Sequence, residues 1–193
     1  MTKSTTALLT LSALLALSGC AQPLPTILNV DPNELSNEQA VLIVSAGAAE
    51  TCISFSSAFV IKESAKQPTL GDSIGVYQLN NNFVDSDFDD EYAKVYSTVL
   101  KPGQYDLWLY HQNPYFSFDD PVFTKPFTLE GGQVTYIGEV HSDGCNSMQI
   151  TVKNKSERDL WQIKSYQPEI DLSKVIIAPA EVYIGNNNKA KSN

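Results

Sequence analysis

The sequence contains few of the residues that bind metals or nucleic acids, with three cysteines, two histidines and 13 Lys and Arg among 193 residues. No Cys-x-x-Cys spacing occurs, and neither His111 nor His141 has a partner at ligand spacing, so we expect no zinc site and no cofactor. The 22 Asp and Glu residues give a net charge of −9. A field of that sign argues against nucleic acid as a partner.

The N-terminal apolar run is too short to cross a membrane. Residues 7–17 form a run of about eleven residues, whereas a membrane-spanning helix needs roughly 20. The run follows a single cation, Lys3, and has the length of the apolar region of a signal peptide. The sequence therefore predicts an export signal rather than a membrane span.

The run ends in Leu17-Ser18-Gly19-Cys20, which resembles the lipobox of bacterial lipoproteins. The resemblance implies a signal peptide at residues 1–19, a diacylglyceryl group on Cys20, and a protein that sits on the membrane through this lipid. Ala21 stands where lipoproteins of the inner membrane often carry Asp, so in a Gram-negative organism the resemblance implies the outer membrane. We expect the protein on the periplasmic face of that membrane. The alternative is an unlipidated, soluble secreted protein.

Removal of residues 1–19 leaves about 174 of the 193 residues, the usual size of one domain. Residues 20–38 are rich in Pro, Asn and Glu and are interpreted as a short tether. The periodic pattern extends over residues 39–185, which we assign to a β-sandwich domain. The polar tail at residues 186–193 is predicted to be disordered.

Cys52 and Cys145 are the two cysteines that remain after Cys20 is used by the lipid. Disulfides persist outside the cytoplasm, so we expect these two residues to be bonded to one another. The alternatives are two free buried thiols or a metal site, and the spacing of the histidines does not support the second.

Eight segments carry short β-branched and aromatic runs divided by Gly, Pro, Asn and Asp, a pattern typical of strands. They are residues 40–44, 55–61, 74–79, 95–100, 105–111, 122–129, 133–141 and 148–152. The pattern predicts a mainly β fold, an antiparallel β-sandwich of about eight strands. Turns are expected at Lys101-Pro102-Gly103-Gln104 and Glu130-Gly131-Gly132-Gln133.

One segment has helical rather than β spacing. Ser156 is a candidate N-cap, acids follow it, Leu160 and Ile163 lie on one face, and Pro168 stops the run. This predicts one short C-terminal amphipathic helix. We expect Leu160 or Trp161 of this helix to pack near Trp108.

The stretches at residues 100–107 and 127–138 resemble a known pattern. A strand, a Pro-Gly turn with Tyr-x-Leu, then Phe-x-Leu-x-x-Gly and Tyr-Ile-Gly are similar to small uncharacterised bacterial lipoproteins with transthyretin-like or immunoglobulin-like sandwiches. These motifs are structural, and the resemblance implies no catalytic residue.

Two segments suggest chemistry. Gly71-Asp72-Ser73-Ile74 resembles the nucleophile block of the Gly-Asp-Ser-Leu hydrolases, but no Asp-x-x-His follows, and a turn accounts for the residues better.

Asp85, Asp87 and Asp89 alternate as in a calcium loop, although the glycine and the bidentate Glu of an EF-hand are missing. A looser calcium site and a solvated acidic loop both remain open.

Eight of the aromatic residues lie between residues 105 and 127. Tyr115, Phe116 and Phe118 fall in a segment, residues 113–120, that has the composition of a loop. Exposed together, they would form an apolar patch that binds a glycan or a partner protein. The alternative is a loop packed over an open end of the sandwich.

These observations predict a lipid-anchored cell-envelope protein that acts as a non-enzymatic binding or envelope-assembly module, with an envelope protein or a glycan as partner. One alternative is an outer-membrane anchor subunit of a secretion or transport machine, a role that transthyretin-like lipoproteins can have. The other is a hydrolase that uses Ser73.

Overall fold

A computed structural model describes residues 28–53, 57–66, 74–111, 116–117, 123–145, 149–183 and 191–192. Its described elements are strands, one α-helix and one 3₁₀ helix at Leu172–Lys174. In chain order they are β1 (Ala40–Ala48), β2 (Ser57–Glu63), β3 (Gly75–Gln78), β4 (Tyr92–Leu100), β5 (Gly103–His111), β6 (Phe116–Ser117), β7 (Phe127–Leu129), β8 (Val134–Ser142), β9 (Ile150–Lys153), α1 (Ser156–Tyr166), β10 (Ile176–Ile177) and β11 (Lys191–Ser192). Each of the eight predicted segments contains strand residues.

The strands form two main sheets that pack face to face. The first sheet has the order β10-β8-β1-β4, with β9 also paired to β8, and the second has the order β3-β2-β5-β7. The predicted β-sandwich with one short helix is therefore confirmed. The pairing is not antiparallel throughout, however, because β1 and β10 both run parallel to β8. Side-chain alternation is the same in both kinds of pairing, so it could not reveal this.

The core between the sheets is built from the inward residues of both. Leu42 and Val44 of β1 meet Phe59 and Ile61 of β2 in one buried cluster. Their spacing of two residues is the reason, since alternate side chains of a strand share a face. At full burial each such side chain contributes about 1.5–3 kcal/mol to stability, so this cluster is the main source of the stability of the sandwich.

Helix α1 covers the outer face of the first sheet rather than the strand that contains Trp108. Leu160 and Ile163 are buried in a second cluster with Val41, Ile43, Val95, Val134 and Tyr136. Trp161 points to solvent and is 68% exposed. The expected packing of α1 near Trp108 is therefore wrong, because the sequence shows which face of a helix is apolar but not which sheet offers the matching surface.

The beginning of α1 also differs from expectation. The N-cap position belongs to Lys155, whose side chain makes no capping bond, and Ser156 is already helical. The Ser156 amide donates instead to Asn154 Oδ1 at 3.0 Å. The side chain that accepts a hydrogen bond at the beginning of α1 is therefore that of Asn154 and not that of Ser156.

The segment interpreted as a tether joins the domain well before residue 39. Leu28 is buried in the second cluster, and Val30 and Leu35 pack against it. Asn33 donates to the Glu169 carbonyl and accepts from the Asp171 amide. The boundary was misplaced because three isolated apolar residues in a polar stretch show no periodicity.

The C-terminal tail differs partly from the predicted disorder, because Lys191–Ser192 pairs antiparallel with Phe116–Ser117. The other residues of the predicted tail lie outside the described part of the chain. Among the described residues, no helix is long and apolar enough to cross a membrane.

Two glycines make the turn before β8. Gly132 has a φ of 76°, a left-handed conformation that glycine adopts without strain. A Cβ on Gly131 would collide with the backbone carbonyl of Asn37. The predicted turn at these glycines thus forms, and it packs directly against the N-terminal segment.

A buried hydroxyl in the core gives a first prediction. Tyr77 is fully buried, stacked on Phe59 at 5.0 Å, and among the described residues its hydroxyl has no hydrogen-bond partner. Because an unpaired buried polar group costs about 1–3 kcal/mol, Tyr77→Phe should leave the free energy of unfolding unchanged or raise it by about 1 kcal/mol. Urea unfolding measures this effect.

Tyr136 provides the matched control for that substitution. It is also fully buried, but its hydroxyl donates to Asp159 and accepts from the Lys155 amide. Tyr136→Phe should therefore destabilise the protein by about 1–3 kcal/mol. A loss for Tyr77→Phe as large as that for Tyr136→Phe would contradict the assignment of an unpaired hydroxyl.

Candidate functional site

One end of the sandwich is closed by the disulfide, and we call it the disulfide end. Its described loops are residues 48–53, 79–91 and 142–145, which lie where β1 and β8 finish and β4 begins. Cys52 and Cys145 are bonded there, with their Cα atoms 5.9 Å apart. The bond predicted from sequence is thus present, and it joins the loop after β1 to the loop after β8.

Two large apolar side chains stand exposed at this end. Ile53 is 71% exposed and Phe83 is 78% exposed. Their loops are held in register, because Cys52 pairs with Asn81 in a β-bridge and the Asn82 amide donates to the Cys52 carbonyl at 3.2 Å. A side-chain bond from Thr51 to Asn82 reinforces the contact at 2.9 Å. The two apolar side chains are therefore displayed on adjacent segments that hydrogen bonds hold together.

The acidic loop lies at the same end but does not form the calcium site considered above. The Asp87 carboxylate is 2.6 Å from Lys94 Nζ, accepts from the Val95 amide at 2.8 Å and accepts from the Tyr166 hydroxyl at 3.0 Å. It is therefore occupied by protein donors. Asp85 and Asp89 are exposed, and in the described part of the chain no three acidic, His or Cys residues are grouped to hold a metal ion.

A second candidate is a charged cluster beneath the first turn of α1, which we call the helix-anchoring cluster. It consists of residues from β1, β4, β8 and α1 with their flanking loops, namely Ser45, Glu91, Tyr136, Glu139, His141, Lys155, Arg158 and Asp159. Asp159 is fully buried. It accepts hydrogen bonds from Ser45 at 2.5 Å and from Tyr136 at 2.6 Å, so it fixes the helix to two neighbouring strands.

Arg158 lies at the centre of the charges in this cluster. Its guanidinium contacts Glu91 at 2.6 Å, Glu139 at 2.6 Å and Asp159 at 2.5 Å, and it lies 4.4 Å above the ring of Phe88. Planar, multidentate pairing of this kind is what a guanidinium provides and a lysine does not. The arginine therefore joins α1 to β8 and to the loop before β4.

Gly47 makes the space that Glu139 needs. A Cβ at this position would lie 2.5 Å from the Glu139 carboxyl carbon, so any other residue would displace the carboxylate. With that space, Glu139 reaches both Arg158 and His141, whose Nδ1 is 2.8 Å from Glu139 Oε1. The helix-anchoring cluster therefore depends on a glycine at position 47 of β1.

The environment separates the pKa values of the carboxyl groups. Burial raises the pKa of Asp159, although bonds from Ser45, Tyr136 and Arg158 oppose it. Burial also acts to raise the pKa of Glu139, but hydrogen bonds from His141 and Arg158 outweigh it and the pKa is lowered. A hydrogen bond from Arg158 lowers the pKa of Glu91. Because the pKa values of Glu91 and Glu139 are lowered in the folded protein, these two carboxylates stabilise the fold at pH values above the ordinary Glu pKa of 4.5. This stabilisation is lost as the pH falls through their lowered pKa values.

The helix-anchoring cluster suits structure rather than nucleophilic chemistry. Ser45 donates to Asp159 while His141 contacts Glu139, so the serine and the histidine are bound to different carboxylates and the serine is not activated. A cavity of about 360 Å³ is lined by residues 154–158, but its cations, Lys155 and Arg158, already contact acids. The cavity is thus a poor anion site.

Most other residues singled out from sequence lie outside the described ranges. These are Cys20, Ser73, Tyr115 and Phe118. Phe116 is described only through its backbone, which pairs with Ser192. In the sequence these aromatics follow β5, whose last residue, His111, pairs with Ser57.

Ile53 and Phe83 were not singled out from the sequence. Phe83 follows three asparagines and nearly precedes the acidic loop, so a bulky apolar residue in a mostly polar segment was a usable signal. Ile53 had no comparable signal, because Thr51, Cys52 and Phe55 around it are as typical of a strand as of a loop. Arg158 and Asp159 were missed as a site because partners from distant strands leave no local pattern.

Comparisons with known proteins found no family model, no curated protein and no solved structure that matches this chain. The candidate site therefore has to be judged on its own geometry.

Proposed function

We propose that the protein is a lipid-anchored cell-envelope lipoprotein that acts as a non-enzymatic binding module, with the disulfide end as its contact surface. The observation that carries the proposal is the display of Ile53 and Phe83 on two adjacent loops that hydrogen bonds hold together, the first of which also carries the disulfide. Exposed apolar residues on a rigid support contribute to binding at little entropic cost. A transthyretin-like or immunoglobulin-like relationship to other bacterial lipoproteins remains part of this proposal.

The proposed anchor is separated from the domain by only a short stretch of chain. Only residues 21–27 separate Cys20 from the buried Leu28, and seven residues span at most about 25 Å. Leu28 packs in the cluster under α1, whereas Ile53 and Phe83 lie at the end of the sandwich. The proposed lipid would therefore hold the buried Leu28 within that distance of the membrane.

Replacing Cys20 by Ser should release the protein from membranes. The lipid is the proposed anchor, and several acyl chains together hold a protein firmly where one chain holds it weakly. Fractionation of cells that express either form measures the change. If the Cys20→Ser variant still sediments with membranes, another anchor holds the protein and the proposed localisation is wrong.

The binding role is tested by crosslinking in intact cells, followed by capture of the full chain. The Ile53→Ser, Phe83→Ser double variant should lose most of the crosslinked partner. Trp161→Ser is the matched control, since Trp161 is equally exposed on α1, and it should capture as much partner as the wild type. Equal capture by all three proteins, or no crosslinked partner at all, would count against a binding role for this end.

The aromatic segment can be tested in the same assay. A combined Tyr115, Phe116 and Phe118 to Ala change should also reduce capture if the segment that follows β5 belongs to the contact surface. Its thermal melting separates this role from packing, because each buried Phe that is lost costs about 3–5 kcal/mol. A collapsed melting temperature would assign these residues to the core.

A further inference from the structure

The described loops of the disulfide end carry charge of one sign only. Residues 48–53, 79–91 and 142–145 contain no Lys and no Arg. Two of their acids, Asp87 and Glu91, are paired with Lys94 and Arg158 from outside these loops. The remaining acids are all exposed, namely Glu50, Asp85, Asp89, Asp90 and Asp143. The end of the sandwich therefore presents a negative surface that is not neutralised by its own cations.

The exposed acids lie on the same loops as the apolar pair or on the loop joined to them by the disulfide. Asp85 lies two residues beyond Phe83, and Glu50 lies three residues before Ile53. Glu50 is held in place, because its Oε1 accepts from the Cys145 amide at 3.0 Å. Asp143 is held likewise by the Gln149 amide at 2.5 Å. We call the five exposed carboxylates of these loops the carboxylate rim, and two of them, Glu50 and Asp143, are fixed by backbone amides.

We propose that the disulfide end binds a cationic polypeptide segment that carries apolar side chains between its Lys or Arg residues. The inference rests on the proposed function, and it names the class of partner. Apolar side chains of the segment would pack on Ile53 and Phe83, and its cations would face the carboxylate rim. Charge complementarity of this kind raises the association rate and excludes partners of the wrong sign.

The same charges argue against the other occupants of this surface. A second copy of the chain would bring five exposed carboxylates against five, and like charges in an interface are strongly unfavourable. Nucleic acid and anionic lipid headgroups are repelled for the same reason. A neutral apolar partner would use Ile53 and Phe83 but not the rim. The cationic, apolar polypeptide is the occupant that uses both.

Three labelled decapeptides test the proposal against the purified full chain by fluorescence anisotropy. One alternates Lys with Leu, one alternates Lys with Ser, and one alternates Glu with Leu. We expect the Lys–Leu peptide to bind at least about tenfold more tightly than either of the others. Its affinity should fall as NaCl is raised from about 50 to about 500 mM, because salt screens exposed charges.

Matched variants locate the binding. Asp85→Asn, Asp89→Asn and Asp90→Asn combined should weaken the Lys–Leu peptide about tenfold, while Glu38→Gln with Glu130→Gln, exposed acids distant from this end, should not change it. Ile53→Ser with Phe83→Ser should weaken it as well, and Trp161→Ser should not. Unchanged melting temperatures show that the variants are folded.

The outcomes separate this inference from the proposed function. If the Glu–Leu peptide binds as well as the Lys–Leu peptide, or if the aspartate variants bind normally, the assigned partner class is wrong. Crosslinked capture in cells that still depends on Ile53 and Phe83 would then leave the binding role intact. If the peptide results fail and crosslinked capture also does not depend on Ile53 and Phe83, both the partner class and the binding role are wrong.

Discussion

Asp159→Ala is expected to lower the free energy of unfolding by about 3–5 kcal/mol. The Asp159 side chain is fully buried and accepts from Ser45, Tyr136 and Arg158. Removing it leaves two hydroxyl donors without their acceptor and takes one carboxylate from the guanidinium of Arg158. The loss therefore measures the cost of broken pairing, which is larger than the net contribution of a buried ion pair. Urea unfolding with linear extrapolation gives the value.

Two variants serve as controls for this prediction. Asp159→Asn keeps the volume and one acceptor oxygen, and because burial already raises the pKa of this carboxyl, a neutral acceptor should cost less than Ala. Glu157→Ala lies on the exposed face of the same helix and should change stability by less than about 0.5 kcal/mol. If Asp159→Ala were no worse than Glu157→Ala, the helix-anchoring cluster would not hold α1.

Loss of the disulfide is the second large effect expected. The bonded residues are 93 positions apart, and closing a loop of that length stabilises by roughly 4–5 kcal/mol in the chain-entropy treatment, with measured losses usually between 2 and 5. Cys52→Ala with Cys145→Ala should therefore lower the free energy of unfolding by about 2–5 kcal/mol. Urea unfolding of the two proteins in the absence of reductant measures the difference.

A reductant provides the internal control. It should destabilise the wild type towards the double alanine variant and leave that variant unchanged. Non-reducing peptide mapping should recover Cys52 and Cys145 in one linked pair of peptides. Their recovery as two alkylated thiols from quenched cells would contradict the bond and the stability attributed to it.

The parts of the fold that the sequence revealed are those encoded by local composition and spacing. Short β-branched and aromatic runs located β1, β4, β5 and β8, and the spacing of Leu160 and Ile163 located α1. The partner of each element was not encoded in the same way. Leu160 fits any apolar surface, so its packing on the first sheet rather than near Trp108 depends on where the chain returns after β9.

The same distinction applies to the candidate site. Cys52 and Cys145 could be paired from sequence because the proposed lipidation of Cys20 leaves only these two cysteines. The contact between Arg158 and Glu139 could not, because it needs the register of β8 against β1 and the missing side chain of Gly47. Isolated residues such as Leu28 and Ile53 also carry no periodic signal, so their burial or exposure appears only in the folded chain.

The parallel pairing of β1 with β8 has a consequence for how the protein folds. Val41 lies opposite Val134 and Ala48 lies opposite Ser142, so one side of this central strand stays open until most of the chain is available. Contacts between such distant residues slow folding, since the intervening loop must close before they form. A fragment that ends before β8 would expose the outer face and one edge of β1. We therefore expect such truncated chains to aggregate rather than fold, and the complete chain to fold slowly in a single cooperative step.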